Sequence, residues 1–349
     1  MQVSSYRHHL ELSLQKAKPK FVEKSFFLII GVILLGLGFL SSLFYYQFKL
    51  DEPLRAQNQY LENVIGSFSQ TKQSVNETRQ SFQVAGANIK FVDNLKESTP
   101  QAAGYYTYLN DIDSTRAKID SLEKNIRYQK TQSRRTDVPV KFQSVTDDLN
   151  NFYDISLNIL QQSKSEQTFA KEMLSATGLS FYLPVLADEA MWASLDTKQI
   201  KSYYENKKLE ANTSLTALAK LTVPPEFKPY YDAQIAYLTL FVETGGKVVD
   251  ILNLPDDKDP EAATQLEKAY QVLNSAKSQN EPIAQTLLAQ RLKVFDQKRN
   301  YERFAQINIM ANSLNGELAQ LAADQPQPKT DQVFKAINSP ELMLGVFSL

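Results

Sequence analysis

Residues 26–46 read FFLIIGVILLGLGFLSSLFYY, a run of 21 residues without a charged side chain. As a helix rising about 1.5 Å per residue, this run would span about 31 Å, which matches the hydrocarbon core of a bilayer. Aromatic rings stand at both ends of the run, where the two membrane–water interfaces would lie. The run therefore predicts one transmembrane helix with the lipid bilayer as its partner.

The charges beside the run predict its orientation. The arm at residues 1–25 carries five basic residues and two acidic ones: Arg7, Lys16, Lys18, Lys20 and Lys24 against Glu11 and Glu23. Because basic flanks stay in the cytoplasm, we expect a single-pass signal anchor in the plasma membrane, with an extracytoplasmic C-terminal body. A cleaved signal peptide is the alternative, although the run is longer than usual for one and lacks a clear cleavage site.

Within the run, Gly38 and Ser42 lie four residues apart and are a candidate contact with another membrane helix. Small residues at this spacing let two helices approach closely. They are also common in spanning helices that make no such contact, so the ordinary interpretation is favoured.

The rest of the chain is predicted to be all-α, a multi-helix bundle of long antiparallel helical hairpins. Prolines are separated mostly by tens of residues, which suits helices better than strands. A seven-residue repeat marks the first helix, which should continue from the anchor: Leu54, Leu61, Phe68, Val75, Phe82 and Ile89. After a turn at residues 97–100, a second stripe marks the returning helix: Tyr105, Leu109, Ile112, Ile119, Leu122 and Ile126.

If the second helix returns toward the membrane, the cations in its last turns come near the bilayer surface. These candidate membrane-surface contacts are Arg127, Lys130, Arg134 and Arg135. Anionic headgroups would attract them. The simpler interpretation is a solvated helix end whose cations complement the helix dipole, and it is favoured because the hairpin geometry is assumed.

Further helices are predicted at residues 139–178, ending at Gly178, and at 198–220, 229–252, 261–278 and 282–323, with Pro282 in a first turn. These divide the chain into an arm (1–25), an anchor (26–46), a body (47–323) and a linker with an apolar tail (324–349). An internal boundary of the body is possible near 179–195 or 223–229. The tail is expected to dock on the bundle, with a partner-binding role as the alternative.

The most apolar part of the body, residues 179–195, contains the only tryptophan of the chain. Phe181, Tyr182 and Trp192 are candidates for a pocket or partner surface, since aromatic residues are concentrated at such places. Ordinary core packing is the favoured interpretation of the same residues.

The residue types of the body exclude several chemistries. Cysteine is absent, and both histidines, His8 and His9, lie in the arm, so histidine-based triads and zinc or copper sites are excluded beyond residue 46. Asp256, Asp257 and Asp259 lack the pattern of a calcium loop and read better as a solvated loop. No phosphate-binding glycine motif is present, and the net charge of −1 disfavours nucleic-acid binding. We therefore assign no catalytic, cofactor-binding or metal residue.

These observations predict a non-enzymatic, membrane-anchored helical scaffold or protein-interaction module of the cell envelope. We expect a protein partner or self-association through its helices. The main alternative is a ligand-binding sensory bundle. Such a bundle would have to signal through a membrane partner, because the arm is too short to hold a signalling domain. An enzyme that uses carboxylates is a third, since acidic residues are abundant but no pair stands out.

Overall fold

The computed structural model describes residues 20–87, 102–135, 138–186, 192, 194–253 and 261–337. In these ranges the chain is helical and has no β-strand, which confirms the all-α prediction. The α-helices are α1 Lys20–Ala87, α2 Ala102–Arg135, α3 Gln143–Thr177, α4 Thr197–Leu218, α5 Lys228–Ile251, α6 Ala262–Phe295, α7 Lys298–Ala323 and α8 Lys329–Ile337. Short 3₁₀ turns at Val140–Phe142 and Pro225–Phe227 lead into α3 and α5.

Helix α1 is continuous over 68 residues and joins the apolar run to the seven-residue repeat, as predicted. No side chain at residues 26–46 is buried. By contrast, Leu61, Phe68, Val75 and Phe82 are all buried, which confirms the repeat as a packing face. In the described ranges, α1 is the one helix long and apolar enough to cross a membrane, judged by length and composition.

The chain divides into two compact units. Unit 1 comprises Met1–Val64 and Gln320–Leu349, and unit 2 comprises Ile65–Ala319. Each unit therefore takes part of α1 and part of α7. The boundaries proposed from the sequence near 179–195 and 223–229 stay predictions, although residues on both sides of each segment belong to one hydrophobic cluster.

The core of unit 2 is rich in aromatic side chains. Helix α5 packs on both α4 and α6, and α3 packs on α2. The Phe169 ring stacks on Phe227 with centroids 5.4 Å apart, and the Phe68 and Phe152 rings meet edge to face at 5.3 Å. Burial of such a side chain contributes about 1.5–3 kcal/mol, so the packing of amphipathic faces, more than helix propensity, stabilises these helices.

Two helix ends follow from local sequence. Gly178 has φ +57°, a conformation that residues with a Cβ rarely adopt, and its N–H bonds the Leu174 carbonyl at the end of α3. The predicted glycine C-cap is therefore confirmed. Helix α4 begins with a capping box, in which the Asp196 carboxylate accepts from the Gln199 N–H and the Gln199 side chain accepts from the Asp196 N–H.

The predicted helix start at Pro282 is wrong, because α6 runs through this proline to Phe295. One buried face continues on both sides of it, formed by Leu273, Ala276, Asn280, Leu287 and Val294. Packing along that face offsets the roughly 3 kcal/mol cost of a proline inside a helix. The break comes instead at residues 296–297, where the Asp296 carboxylate accepts from the Lys298 N–H at 2.8 Å and starts α7.

Part of the predicted linker and tail (324–349) is helical, because α8 begins at Lys329. Pro53 likewise lies inside α1 and does not end it. The turn predicted at 97–100, the aspartates at 256–259, His8, His9 and the tail beyond residue 337 lie outside the described residues.

Candidate functional site

Unit 1 contains a hydrogen-bonded cluster that joins the start of α8 to α1. We call this cluster the clamp and define it as Asp51, Arg55, Thr330 and Asp331. The Asp51 carboxylate, buried at 5% exposure, accepts from the Thr330 N–H at 2.8 Å and from the Thr330 hydroxyl at 2.7 Å. The first N–H groups of a helix have no partner within the helix, and its dipole favours a negative charge there. Asp51 therefore satisfies the first turn of α8 from another helix.

Arg55 supplies the positive charge of the clamp. Its Nε donates to an Asp331 carboxylate oxygen at 3.1 Å, and its guanidinium group also donates to the Thr330 hydroxyl. The same guanidinium donates to the Phe48 carbonyl at 3.3 Å and lies over the Phe48 ring at 3.7 Å. Because these contacts use one face and the edges of the guanidinium group, Arg55 is held in one orientation.

Contacts on either side of the clamp show the path of the chain along α1. Gln325 donates to the Gln57 side chain at 2.9 Å, and the Phe334 ring meets the Phe44 ring edge to face at 5.3 Å. From Gln57 to Phe44, α1 covers 13 residues, or about 20 Å. Residues 325–334 thus run alongside α1 from Gln57, past the clamp, to the end of the apolar run.

The surroundings of Asp51 keep it ionised. The Thr330 N–H, as the largest cause, lowers the pKa of Asp51 below its ordinary value, and the Thr330 hydroxyl, Gln47 and Arg55 act in the same direction. Burial opposes them without reversing the shift. The clamp therefore holds a carboxylate and a guanidinium at neutral pH.

The clamp could not be predicted from the sequence, because Asp51 and Thr330 lie 279 residues apart along the chain. A local signal for α8 was nevertheless available. Pro328, then Asp331 in the first turn and the apolar pair Val333 and Phe334, form the usual start of an amphipathic helix.

Unit 2 contains a second polar cluster, centred on Glu166 of α3. This carboxylate is 5% exposed, and each of its oxygens meets one arginine of α7: Arg303 at 2.6 Å and Arg299 at 2.7 Å. Arg299 also lies 3.8 Å from Glu226 and over the Phe227 ring. Burial would raise the pKa of Glu226, but hydrogen bonds and the two arginines together lower it. Two carboxylates and two guanidinium groups therefore balance one another, as in a structural ion-pair network.

Gln297 fills the break between α6 and α7. Its side-chain amide donates to the Tyr108 hydroxyl and to the Phe295 carbonyl, and its side-chain oxygen accepts from Gln167 and Asn300. Tyr108 in turn donates to the Phe295 carbonyl at 2.6 Å, and burial raises the pKa of this tyrosine. The phenol stays neutral, so this network joins α2, α3 and α6 without a charge.

The structure describes the side chains of two of the four predicted membrane-surface cations, Arg127 and Lys130. The Arg127 guanidinium pairs with Glu123 one turn earlier at 2.7 Å, and Lys130 pairs with Asp154 of α3. The side chains of Arg134 and Arg135 lie outside the described set. Arg127 keeps 62% of its side chain exposed, whereas Lys130 keeps only 18%, so the two differ in what they offer a surface. Their contact with headgroups stays a prediction.

The three candidate aromatic residues at 179–195 are all buried in the core of unit 2. Phe181 meets Phe241 edge to face, and the Trp192 N–H donates to the Tyr204 hydroxyl at 3.2 Å. Phe181 also borders an open groove of about 370 Å³ on one side. These positions match the core-packing interpretation.

Residues 181–186 are not helical, yet their carbonyl groups find partners. Four side chains from α4, α5 and α6 donate to them: Tyr204 to Leu186, Gln234 to Phe181, Tyr237 to Val185 and Asn280 to Pro184. Buried backbone carbonyls are costly without such donors. This set of donors explains how an irregular segment is accommodated in a helical core.

Gly38 and Ser42 are exposed on α1, and the space where a Cβ of residue 38 would lie is open on the side away from its own helix. Their role as a helix contact stays a prediction. Among the described residues, no group of three or more acidic or histidine side chains is arranged to hold a metal ion.

No family model, curated protein or solved structure matches this chain.

Proposed function

We propose that the chain is a single-pass membrane protein whose helical body acts outside the cytoplasm as a scaffold or protein-interaction module of the cell envelope. In this proposal residues 26–46 cross the plasma membrane, the basic arm lies in the cytoplasm, and the body binds a protein partner or a second copy of the chain. No enzymatic activity is assigned to it.

The continuity of α1 carries the proposal. The same helix is exposed and uncharged over residues 26–46 and then buries a face through Leu61, Phe68, Val75 and Phe82. An exposed apolar surface of this length is unfavourable in water and favourable in lipid. A helix that continues from an apolar run into a packed bundle suits a protein that binds other proteins near the membrane.

We further propose that the body is built from antiparallel helical hairpins. Three ion pairs between α2 and α3 support this: Asp113 with Lys171, Asp120 with Lys164 and Lys130 with Asp154. Residue numbers rise along one helix as they fall along the other. Such a bundle presents long helical faces, which are suitable surfaces for a partner.

The residue types of the body support a non-catalytic role. Neither histidine nor cysteine occurs beyond residue 46, and the buried carboxylate of Glu166 is paired with Arg299 and Arg303. A ligand-binding sensor is the second candidate, and an open groove of about 400 Å³ between α5 and α6 is where a ligand would be sought. A saturable rise in melting temperature with a small molecule would favour the sensor.

The topology is tested by adding protease to spheroplasts of cells that produce the full chain with a tag on the arm. We expect the body to be digested and the tagged arm to be spared. A matched variant with glutamine in place of Lys16, Lys18, Lys20 and Lys24 should lower the fraction in this orientation, because the basic flank sets it. A protected body would overturn the topology.

The scaffold role is tested by chemical cross-linking in intact cells followed by gentle solubilisation. We expect a defined protein partner, or a second copy, to be recovered with the body. Recovery of the chain only as an unassociated monomer would contradict this role.

A further inference from the structure

We infer that α8 is an interfacial amphipathic helix, which contacts the headgroups and upper acyl chains of the bilayer at the end of the apolar run. This inference rests on the proposed membrane insertion of residues 26–46. It adds a second membrane contact, made by a segment almost 290 residues further along the chain.

The depth of α8 in the bilayer follows from the contact between Phe334 and Phe44. Phe44 lies in the last turn of the apolar run, beside Tyr45 and Tyr46, whose rings are about two-thirds exposed. Aromatic residues at the ends of a membrane span lie at headgroup level. Since the two phenylalanine rings are 5.3 Å apart, Phe334 must lie at the same level.

The sequence of α8 suits this depth. Thr330, Val333 and Phe334 fall on one face by helical spacing, and Asp331, Gln332 and Lys335 fall on the other. In the structure Val333 and Phe334 are 47% and 48% exposed, so half of this apolar surface is without protein cover. A short helix with an apolar face and a charged face is typical of helices that lie in the membrane interface.

The clamp holds α8 in place for this contact. Asp51 and Arg55 bind the first turn of α8 at Thr330 and Asp331, about one and a half to two and a half turns beyond Tyr46 on α1. The polar start of α8 is therefore bound by protein while its apolar residues are directed to the end of the apolar run. Continuity with that run favours lipid over a protein partner as the material that covers Val333 and Phe334.

The absence of cysteine in the chain allows a clean test with single-cysteine variants. A fluorescent label is attached at Val333→Cys in the full chain, reconstituted into phosphatidylcholine vesicles that contain one-quarter phosphatidylglycerol. Quenching by lipids that carry a nitroxide at the headgroup is then compared with quenching by lipids labelled deep in the acyl chain. Gln332→Cys on the polar face of α8 is the matched control, and Phe39→Cys reports on the apolar run.

We expect the Val333 label to be quenched several-fold more strongly than the Gln332 label, and more by the headgroup nitroxide than by the deep one. The Phe39 label should show the opposite depth preference. Quenching at Phe39 without quenching at Val333 would overturn the inference and leave the membrane insertion standing. A Val333 label shielded from both lipid and water would instead indicate a protein partner and also overturn it. Failure of quenching at Phe39 would overturn the proposed insertion itself.

Discussion

Two regions of α1 share one secondary structure and differ in what surrounds them. Residues 26–46 are apolar on all sides, and none of them is buried. From Leu61 to Ala85, by contrast, buried residues recur along one side of the helix: Leu61, Phe68, Val75, Phe82 and Ala85 are apolar, and Thr71 and Thr78 lie between them. A helix that is apolar all round belongs in lipid or deep inside a large protein, and a helix with one apolar stripe belongs on a core. The distribution of apolar residues around the helix, more than their number, identifies its surroundings.

The comparison makes the two regions separable by mutation. A change in the stripe should alter the stability of the packed body, and a change in the apolar run should alter insertion into the membrane. Trp192, the only tryptophan and a core residue of unit 2, reports on the body through its fluorescence.

The largest effect is expected for Phe68→Ala in the stripe. Phe68 is fully buried and packs against Phe152, so the cavity left behind should lower the free energy of unfolding by about 3–5 kcal/mol. Urea unfolding of the detergent-solubilised full chain, followed by Trp192 fluorescence, measures this loss. Leu209→Ala, at a residue 69% exposed on α4, is the control and should change stability by less than about 0.5 kcal/mol. An equal loss in both variants would contradict the assigned packing.

A smaller effect, on a different property, is expected for Leu35→Arg in the apolar run. An arginine near the centre of a spanning helix costs about 2.5–3.5 kcal/mol on insertion scales, so the membrane-inserted fraction should fall. Carbonate extraction of membranes measures that fraction, with Leu35→Phe as the matched control. The urea midpoint of the body, measured by Trp192 fluorescence, should stay unchanged. A lower midpoint in Leu35→Arg would show that the two regions are not independent.

The same distinction explains what the sequence could predict. Repeating patterns located the helices: the repeat was correct at Leu61, Phe68, Val75 and Phe82, and the glycine at 178 ends a helix. The spacing of the repeat and the backbone conformation of the glycine can both be read from residues that are close in sequence. The buried position of Phe181 and Trp192 also agreed with their apolar surroundings. Each of these is a local property.

The errors have the opposite character. Pro282 looked like a helix start by its local preference, but the buried face formed by Leu273, Ala276 and Leu287 continues through it and outweighs that preference. The clamp and the pairing of Glu166 with Arg299 and Arg303 depend on side chains that are more than 130 residues apart. No periodic pattern predicts such pairs. Because acidic and basic residues are abundant, the sequence alone does not indicate which of them pair.

Glu166→Gln tests how much the ion-pair network contributes to the stability of the body, beside the apolar packing at Phe68. It removes the charge that Arg299 and Arg303 share, and the two guanidinium groups then lack their main partner. Because 33% and 23% of their side chains remain exposed to water, we expect a loss of about 1–3 kcal/mol, below that of a fully buried pair. Glu302→Gln removes an exposed carboxylate from α7, the helix that carries Arg299 and Arg303, and should have almost no effect. Equal urea midpoints for wild type and Glu166→Gln would show that the network is not stabilising.

The smallest effect is expected at the clamp, where pH and the substitution Asp51→Asn act on the same bond. The pKa of Asp51 is lower in the folded chain than its ordinary value of 3.8, so its contribution is fully present above that value and is lost as the pH falls through the lowered one. Asparagine keeps an acceptor oxygen but no charge. At neutral pH the amides of residues 330–334 should therefore exchange with deuterium faster in Asp51→Asn than in wild type, after correction for intrinsic rates. The difference should shrink as the pH falls below 3.8 and disappear only below the lowered pKa of folded Asp51, where both side chains are neutral. A difference that is independent of pH would mean that the shape of the acceptor, and not its charge, holds α8 to the end of the apolar run.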